Sequence, residues 1–500
     1  MKKVYLIMVA CIATLLSLNS QAQEIAHGAL DKSFRPTLDG NVFVVLPNSD
    51  GTIMVGGSFA NAGYNDEDAV YMGNIIRLNS NGNPDKSFNT GGIGFDNSVY
   101  SILRTPEGKY LVSGRFSKYN DQPVGMLVRL MPDGSLDPTF NNNNTFTLDG
   151  FHANYTPSVS KIFIHPSGQI YVVGGFNKVN DIFAPFVARF SADGQHDGSY
   201  QPVDKVNFKT DPSILGAYMD HDGSFFITGS FSRYGGITGC DRVVRFLPDG
   251  SLDPEFQSPE FKDSEDGGCT VKSITPYDTG RYLVAGDFVK VNEQERFLTC
   301  VIDRQGNVVE EYKPFNFSGD DNNITWAAYY ALRYMDWIFV AGGDVTAPQT
   351  SFIHSFDSKG SEITDGFKLD TKPDRTATFL YADPINGWLY VSGLFNKINK
   401  DVVPYFGRIS IAKDPMAIQA PIIATEEAHL TIHQEGSNLF ITASDAITEA
   451  SLYSMEGKLL TSGKSLDEAT LQIKTPSAGN YFVKVVLVNG TTATKKLIVR

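Results

Sequence analysis

One short element containing glycine recurs seven times in this chain, and its regularity constrains the fold more than any other feature. A Val or Ile lies two residues before each glycine, and in six copies a Phe lies two residues after it. The glycines, at a mean spacing of 56 residues, are Gly57, Gly114, Gly174, Gly229, Gly286, Gly342 and Gly393. A fixed period of this length predicts a fold built from one repeated supersecondary unit.

Each copy lies within the same series of strand and turn patterns. In the second copy, alternating apolar residues at 99–103 lead into a Pro/Gly turn at 105–108 and a further apolar run at 109–112, as in a β-hairpin. A third apolar run ends in Asp-Gly or Asn-Gly, and a short Leu-Asp-x-x-Phe element follows. Four short antiparallel strands per repeat are typical of one propeller blade. We therefore predict an all-β chain with a seven-bladed β-propeller at residues 28–410.

The two ends of the repeat region complement each other. Residues 30–34 read Leu-Asp-Lys-Ser-Phe, a fourth-strand element that precedes the first glycine copy, whereas no such element follows the last third strand at 406–410. Pairing these segments would close the ring and remove two sheet edges that otherwise invite aggregation. We predict that residues 30–34 are the outer strand of the seventh blade.

Arginine and aspartate recur once in most repeats, which favours a scaffold role because a catalytic pair would be unique. These residues are Arg77, Arg129, Arg189, Arg245 and Arg408, with Asp85, Asp137, Asp197 and Asp253. We predict structural Arg–Asp contacts that fix the outer strands, with anion binding in the ring as the alternative. Val301 and Ser355 replace the arginine in the fifth and sixth copies. The repeat glycines are expected to let a neighbouring blade approach closely.

Taken together, the Leu-Asp-x-x-Phe element, the Asp-Gly turns, the Val-x-Gly-x-Phe element and the Arg-Leu strand resemble the delta-60 repeats of secreted bacterial proteins. The resemblance covers about residues 28–410. It implies a β-propeller fold and an exported protein, and it implies no activity.

The N-terminus has the pattern of a secretory signal peptide. Lys2 and Lys3 precede an apolar run at 4–18, and Ser20-Gln21-Ala22 offers the small residues that signal peptidase accepts. We predict a signal peptide at residues 1–22 with cleavage after Ala22, and no transmembrane segment in the mature chain. The expected destination is the cell surface or the medium, reached through the periplasm.

The last 90 residues break the repeat. Residues 411–427 contain two prolines and are expected to be a linker. Seven short strand patterns then follow at residues 428–500, which predicts a small β-sandwich.

This C-terminal segment resembles the sorting domain of the type IX (Por) secretion system of Bacteroidota. The matching positions are Gly457, Lys458, Gly479, Tyr481, Val483, Val485, Gly490 and Lys496. The resemblance implies that the type IX machinery is a partner and carries the protein across the outer membrane. An ordinary adhesive β-sandwich is the alternative.

Composition and motif searches mostly exclude functions. A net charge of −14, with no block of Lys and Arg, argues against nucleic acid as a partner. The eight His form no metal-binding spacing, and His165 and His221 are expected to serve in turns. Three cysteines remain after cleavage, too few for more than one disulfide. If one forms, Cys240–Cys269 is the expected pair, and Cys300 is the third cysteine.

Two kinds of loop could bind ligands. Acidic and Asn-rich segments at 61–68, 141–144 and 318–323 offer oxygen atoms for Ca²⁺, although solvated loops are the favoured interpretation and no cofactor is evident. Aromatic segments at 151–155 and 326–334, expected to be irregular, could stack on sugars, with core packing favoured.

These observations favour a non-enzymatic binding protein that captures a glycan or a protein on one face of the propeller. The alternative is a glycan-active hydrolase or lyase that uses non-repeated carboxylates at the channel mouth. A purely structural envelope component is a third possibility.

Overall fold

The structure is a computed structural model. It describes residues 28–62, 70–150, 155–203, 213–237, 239–263, 268–314, 326–344, 350–363, 369–411, 431–435, 438–442, 447–454, 459–464, 470–474, 479–487 and 492–499. The predicted signal peptide lies outside the described residues. The all-β prediction is confirmed, because strands make up nearly all of the regular structure in the described ranges, and the helical elements there are short 3-10 turns such as Tyr234–Gly236.

Seven antiparallel sheets with the same strand order follow one another along residues 41–410, and we number them sheets 1 to 7. Three strands of each pair in chain order: Asn41–Pro47, Ile53–Ser58 and Ile75–Leu78 in sheet 1; Val99–Arg104, Tyr110–Gly114 and Leu127–Leu130 in sheet 2; Ser158–Ile164, Ile170–Gly175 and Val187–Phe190 in sheet 3; Ile214–Met219, Phe225–Gly229 and Val243–Phe246 in sheet 4. The others are Val271–Asp278, Arg281–Gly286 and Thr299–Asp303 in sheet 5; Trp326–Tyr334, Trp337–Asp344 and Phe352–Asp357, with Asp370–Thr371 added, in sheet 6; and Ala377–Asp383, Trp388–Gly393 and Phe406–Ser410 in sheet 7.

The expected fourth strand is mostly reduced to one β-bridge. Leu130 bridges Leu136 in sheet 2, and sheets 1, 3, 4, 5 and 6 have the equivalent bridge to the chain that follows the third strand. Sheet 7 instead receives Leu30, which bridges Ile409. The strand ends at once because the aspartate that follows bends the chain: in sheet 2, Oδ1 of Asp137 accepts hydrogen bonds from the amide and hydroxyl of Thr139.

Small hairpins between the second and third strands were not anticipated from the sequence. Asn-Asp at 120–121 and 180–181, and Asn-Glu at 292–293, adopt positive φ at both positions and form two-residue turns. The paired segments are Asn61–Ala62 and Val70–Tyr71; Lys118–Tyr119 and Gln122–Pro123; Lys178–Val179 and Ile182–Phe183; Lys290–Val291 and Gln294–Glu295; and Lys397–Ile398 and Asp401–Val402. Phe146–Thr147 and Phe261–Lys262, which precede the first strands of sheets 3 and 5, pair with the hairpins of those sheets.

The core lies between sheets rather than within them. Seven hydrophobic clusters each join two consecutive sheets, and one of them combines Val42 and Val55 of sheet 1 with Tyr390 and Phe406 of sheet 7. The first strands of consecutive sheets also contact one another, including those of sheets 1 and 7. Each sheet therefore buries both faces.

The predicted Arg–Asp contacts are confirmed. In sheet 2, Nε of Arg129 lies 2.6 Å from Oδ2 of Asp137, and its guanidinium stacks on Phe140 at 4.8 Å. The same pairing joins Arg77 to Asp85, Arg189 to Asp197 and Arg245 to Asp253. These guanidinium groups already have carboxylate partners at the outer edges of the sheets, which removes the basis for the alternative of anion binding in the ring.

The N-terminal segment makes the same contacts with sheet 7. Nη2 of Arg408 lies 2.7 Å from Oδ2 of Asp31, and its guanidinium stacks on Phe34 at 4.4 Å. The amide of Asp31 donates to the carbonyl of Arg408, and the amide of Ser410 donates to the carbonyl of Ala29. A segment 377 residues away in sequence thus takes the position that the following chain occupies in the other sheets.

Every first strand contains a β-bulge at the same place, directly opposite the repeat glycine. In sheet 3 the register shifts between Val159 and Lys161, so Ser160 is the extra residue, and Gly174 pairs with Val159. The extra residues of the seven sheets are Phe43, Tyr100, Ser160, Leu215, Lys272, Tyr329 and Thr378. A bulge kinks its strand and re-aims the side chain that it inserts.

The repeat glycine is what lets the backbone come this close. A Cβ on Gly174 would lie 2.2 Å from the carbonyl oxygen of Ser158, and one on Gly114 would lie 2.0 Å from that of Ser98. The equivalent distance is at most 2.4 Å in all seven sheets. The expectation that the glycines admit a neighbouring blade needs correction, since the carbonyl belongs to the chain at the start of the first strand of the same sheet.

The C-terminal strands form two sheets that share one core. Thr431–Glu435, Asn438–Thr442 and Thr470–Lys474 make the first sheet, and Leu459–Lys464, Ile447–Ser454, Gly479–Leu487 and Thr492–Val499 make the second. Leu439, Leu452, Val483 and Val485 are buried between them. Of the remaining sorting-motif positions, Gly479 and Tyr481 lie on the third strand of the second sheet and Lys496 on the fourth. Gly457, Lys458 and Gly490 lie outside the described residues.

The glycine contact yields a matched pair of substitutions. Gly174→Ala is expected to lower the free energy of unfolding by about 2 kcal/mol or more, because backbone atoms block the new methyl group. Gly175→Ala meets only Oγ of Ser158, at 3.5 Å, and is expected to change it by less than about 0.5 kcal/mol. Urea denaturation of both variants measures the difference, and equal effects would contradict this role of the glycine.

The ion pair between Asp31 and Arg408 yields a second matched pair of substitutions. Asp31→Asn leaves Arg408 buried without a counter-charge and is expected to cost about 3 kcal/mol. Lys32→Ala removes only the exposed ion pair with Asp401 and is expected to cost less than about 1 kcal/mol. Urea denaturation near neutral pH compares the two variants, and a larger loss for Lys32→Ala would contradict the assignment.

Acidification is expected to weaken the fold through the same aspartates. Burial alone would raise the pKa of Asp31, but hydrogen bonds from Ser33 and Arg408 hold it below its ordinary value, and the pKa values of Asp85 and Asp137 are lowered by equivalent contacts. Such carboxyls stabilise the fold above their unfolded pKa of about 4, and this contribution is lost as pH falls through the lower folded pKa. The Asp31→Asn variant should therefore lose less stability than the wild type on acidification.

Candidate ligand-binding channel

A single cavity of about 600 Å³ is lined by the first strands of all seven sheets. The side chains inserted by the seven bulges all line it, so the repeated kink turns one residue per sheet towards a common centre. Residues at the ends of second strands or just after them, among them Arg115, Gly175 and Leu394, also line it. The cavity therefore opens towards the face that carries the small hairpins, with a volume typical of a small-molecule site.

The seven inserted residues differ in chemistry although their surroundings repeat. Phe43 and Tyr100 lie next to each other with ring centroids 5.4 Å apart, and Thr378 and Ser160 offer hydroxyl groups. Leu215 is 43% exposed, so its side chain is accessible. Scaffold positions such as the glycine are the same in every repeat, whereas the residues that face the cavity differ from repeat to repeat. Such variation is expected where the fold does not determine which residue is present.

Three cationic side chains line the cavity, and they differ in their partners. Lys272 lies 3.0 Å from Oδ2 of Asp287 and 5.3 Å from the ring centroid of Tyr329. The side chain of Lys161, one residue after the bulge of sheet 3, has no hydrogen bond or ion pair with any described residue. Burial lowers the pKa of Lys161, because the surrounding protein disfavours its charged form. Arg115 is exposed and likewise has no described side-chain partner.

The lining contains no Asp or Glu among the residues that the structure describes. A glycosidase of the usual kind needs two carboxyl groups that flank the bond to be cleaved. The alternative function placed such carboxylates at the channel mouth. Asp287, which follows Gly286 as Arg115 follows Gly114, is a carboxylate beside the lining, and it is paired with Lys272.

Several sequence predictions need correction at this site. Residues 326–334, expected to be an irregular aromatic loop, form the first strand of sheet 6, and Tyr329 and Tyr330 line the cavity from it. Tyr155, from the other aromatic segment, is 39% exposed in the lining, and residues 151–154 lie outside the described residues. The inserted residues were not identified from the sequence, because both the bulge position and the position after it vary from repeat to repeat.

The sequence also suggested candidate loops for a metal ion. In the described chain, no group of three His, Cys, Asp or Glu could hold a metal ion. Of the proposed Ca²⁺ loops, residues 141–144 use their amides internally: Oδ1 of Asn142 accepts from the amide of Arg129, and Nδ2 of Asn144 donates to the carbonyl of Gly194. Residues 63–68 and 318–323 lie outside the described residues.

All three cysteines are buried free thiols, so the conditional Cys240–Cys269 pair is not formed. Burial raises the pKa of Cys240 and of Cys269 to about 11, which leaves both thiols protonated near neutral pH. The expected turn role of His165 is supported, since its Nδ1 lies 2.7 Å from Oγ of Ser167 within the loop that joins two strands of sheet 3.

Two family models match parts of the chain. A family described as a domain of unknown function (DUF5122) beta-propeller matches residues 48–88, 105–140, 165–200 and 222–256, and a domain of unknown function (DUF8694) matches residues 418–499. No curated protein has a matching sequence. None of the helices in the described part of the chain has the length and apolar character of a membrane span.

Solved structures show more distant likeness. The extracellular domain of a hybrid two-component system from B. thetaiotaomicron is 14% identical, covers 95% of this chain and 56% of its own length, and has a TM-score of 0.35. A fungal alcohol oxidase of the AA5 family in complex with copper is 12% identical, with 93% and 98% covered and a TM-score of 0.40. YCF48 from Cyanidioschyzon merolae is 10% identical, with 75% and 96% covered and a TM-score of 0.36.

The chain therefore spans little more than half of the first of these proteins. At such TM-scores the likenesses bear on neither ligand nor activity. The repeated sheets and the family match together make this an all-β protein that carries a β-propeller domain.

Proposed function

We propose that the seven sheets are the blades of one closed propeller, that the protein is exported to the cell surface or the medium, and that it binds a glycan or a similar small ligand in its central channel without catalysis. The observation that carries this proposal is the set of seven bulge residues, which differ from one another and all line one cavity. A scaffold alone would have no need for such variety at one repeated position.

Closure of the ring is supported by the contacts of the N-terminal segment. Asp31 and Phe34 hold Arg408 as Asp137 and Phe140 hold Arg129. A hydrophobic cluster also joins sheets 1 and 7. A closed ring fixes the spacing of the first strands, and a fixed spacing is what a preformed binding site requires.

Binding is favoured over hydrolysis because the described lining offers cations, hydroxyls and aromatic rings but no carboxylate. Aromatic rings and hydroxyl groups suit the apolar faces and the hydroxyl groups of sugars. The absence of an acid–base pair among these residues favours release of the ligand unchanged.

Export is proposed on the resemblances to delta-60 repeats and to a type IX sorting domain, together with the signal-peptide pattern. The C-terminal two-sheet module, with Val483 and Val485 in its core, is in our proposal the signal for crossing the outer membrane. Partnership with the type IX machinery follows from that assignment.

Ligand binding in the channel is tested by a glycan array with the mature protein and two variants. Ser160→Trp places a large ring in the cavity and is expected to reduce binding at least tenfold. Val402→Trp, at a position 75% exposed on a small hairpin, is the control and should bind as the wild type. Incubation with every bound glycan should release no product. Cleavage of a bound glycan, or equal binding by Ser160→Trp, would overturn the proposal.

The export signal is tested by fusing residues 412–500 to a fluorescent reporter that carries a secretory signal peptide. In a Bacteroidota strain with an intact type IX system, the fusion should reach the surface or the medium. In an isogenic strain without the system, it should remain in the periplasm. A reporter without residues 428–500 is the control, and its equal release would refute a sorting role.

A further inference from the structure

The channel contains a charge that the residues described by the structure leave uncompensated. Of the three cations in the lining, Lys272 is paired with Asp287, whereas Lys161 and Arg115 have no side-chain partner among the described residues. Lys161 is partly buried, so its ammonium group is less well solvated than one on the surface, and no described residue offsets this with a counter-charge. Nothing in the packing of sheet 3 explains a lysine here, because the equivalent position is Gly216 in sheet 4 and Ser273 in sheet 5.

The side chains that line the channel are cationic on one side and aromatic on the other. Arg115, Lys161 and Lys272 come from sheets 2, 3 and 5. Sheets 6, 7 and 1 contribute rings instead: Tyr330 and Phe379 pack edge to face at 5.0 Å, and Phe43 lies beside Tyr100. A ligand that matches both walls carries an anionic group at one side and an apolar face at the other.

Hydroxyl groups lie between these two walls. Ser158 and Ser160 adjoin Lys161 on its own strand, and Ser213 and Thr156 line the same side. Serine and threonine hydroxyls both donate and accept hydrogen bonds, which matches the hydroxyl groups of a sugar. Cationic, hydroxyl and aromatic side chains together suit a sugar that carries a carboxylate better than a hydrocarbon acid, which has no hydroxyl groups to bind.

We propose that the channel binds an acidic saccharide, whose carboxylate accepts hydrogen bonds from Nζ of Lys161 and from the guanidinium of Arg115 while a sugar face packs on the aromatic wall. This inference rests on the proposed function, in which the channel is the ligand site. The carboxylate supplies the counter-charge that Lys161 lacks, so the interaction is charge-assisted and stronger than a neutral hydrogen bond.

The test is calorimetric titration of the full mature protein with trisaccharides that contain galacturonate, glucuronate or N-acetylneuraminate, each beside its methyl ester. The ester removes the negative charge and leaves the rest of the sugar almost unchanged. At least one acid should bind, and its ester should bind at least tenfold more weakly. Sulfated and carboxylated trisaccharides measured in parallel distinguish the two sources of negative charge.

Variants assign the effect to the proposed residues. Lys161→Met should weaken binding of the acid at least tenfold and hardly affect the ester, Lys161→Arg should retain most of the affinity, and Arg115→Leu should weaken it less than Lys161→Met. Lys397→Met changes an exposed lysine outside the channel and is the control. Lys161→Met should also melt at the same or a higher temperature than the wild type, because it removes an unpaired charge, which separates loss of binding from loss of folding.

The outcomes separate the two proposals. Equal binding of acid and ester, or tight binding of neutral sugars alone, overturns the acidic-saccharide inference and leaves channel binding in place. Binding of acids that Lys161→Met does not weaken also overturns it. Failure of every acidic and neutral saccharide to bind, or equal binding by Ser160→Trp of a glycan found by the array, overturns the proposed function as well.

Discussion

The contact between each repeat glycine and a backbone carbonyl of its own sheet is the constraint on which the rest of the structure depends. The carbonyl of Ser158 lies where a side chain on Gly174 would begin, and the same is true in the other six sheets. The residue paired with the glycine directly precedes the bulge, so the close approach and the kink occur together. Seven such kinks turn seven side chains into one cavity. The feature that makes the repeat recognisable in the sequence is thus also the feature that builds the candidate site.

The outer edges of the sheets are stabilised by a different interaction. A guanidinium is placed between a carboxylate and an aromatic ring, as Arg129 is between Asp137 and Phe140. Such a pair is withdrawn from water, and it stabilises the sheet because the aspartate also accepts hydrogen bonds from the turn that follows it. Sheets 5 and 6 lack the arginine. In sheet 5, Tyr312 takes the position that Phe140 has in sheet 2, where it is buried, and its hydroxyl lies 2.8 Å from Oγ1 of Thr299 on the third strand.

The repeated scaffold residues and the variable lining residues differ in how their charges are paired. At the outer edges each arginine is paired with an aspartate, as Arg129 is with Asp137, whereas Lys161 and Arg115 at the cavity have no side-chain partner in the described part of the chain. The net charge of the chain is −14, whereas Arg115, Lys161 and Lys272 line the cavity, so the local field there differs from that of the whole protein. In the proposed function, this difference favours selective binding of an anionic ligand in the cavity over non-specific adsorption to the outer surface.

By itself, the sequence determined the all-β class, the number of repeats and the Arg–Asp contacts, because each depends on residue types that recur at a fixed spacing. It also indicated where residues 30–34 lie, since a missing element at one end matched an extra one at the other. The small hairpins were missed although Asn-Asp pairs marked their turns. Only the tertiary structure decided which side chains meet: bulges shift the register by one residue, and no propensity or period shows that shift in advance. The cavity, with Lys161 in its lining, therefore became visible only once the first strands of the seven sheets were placed beside one another.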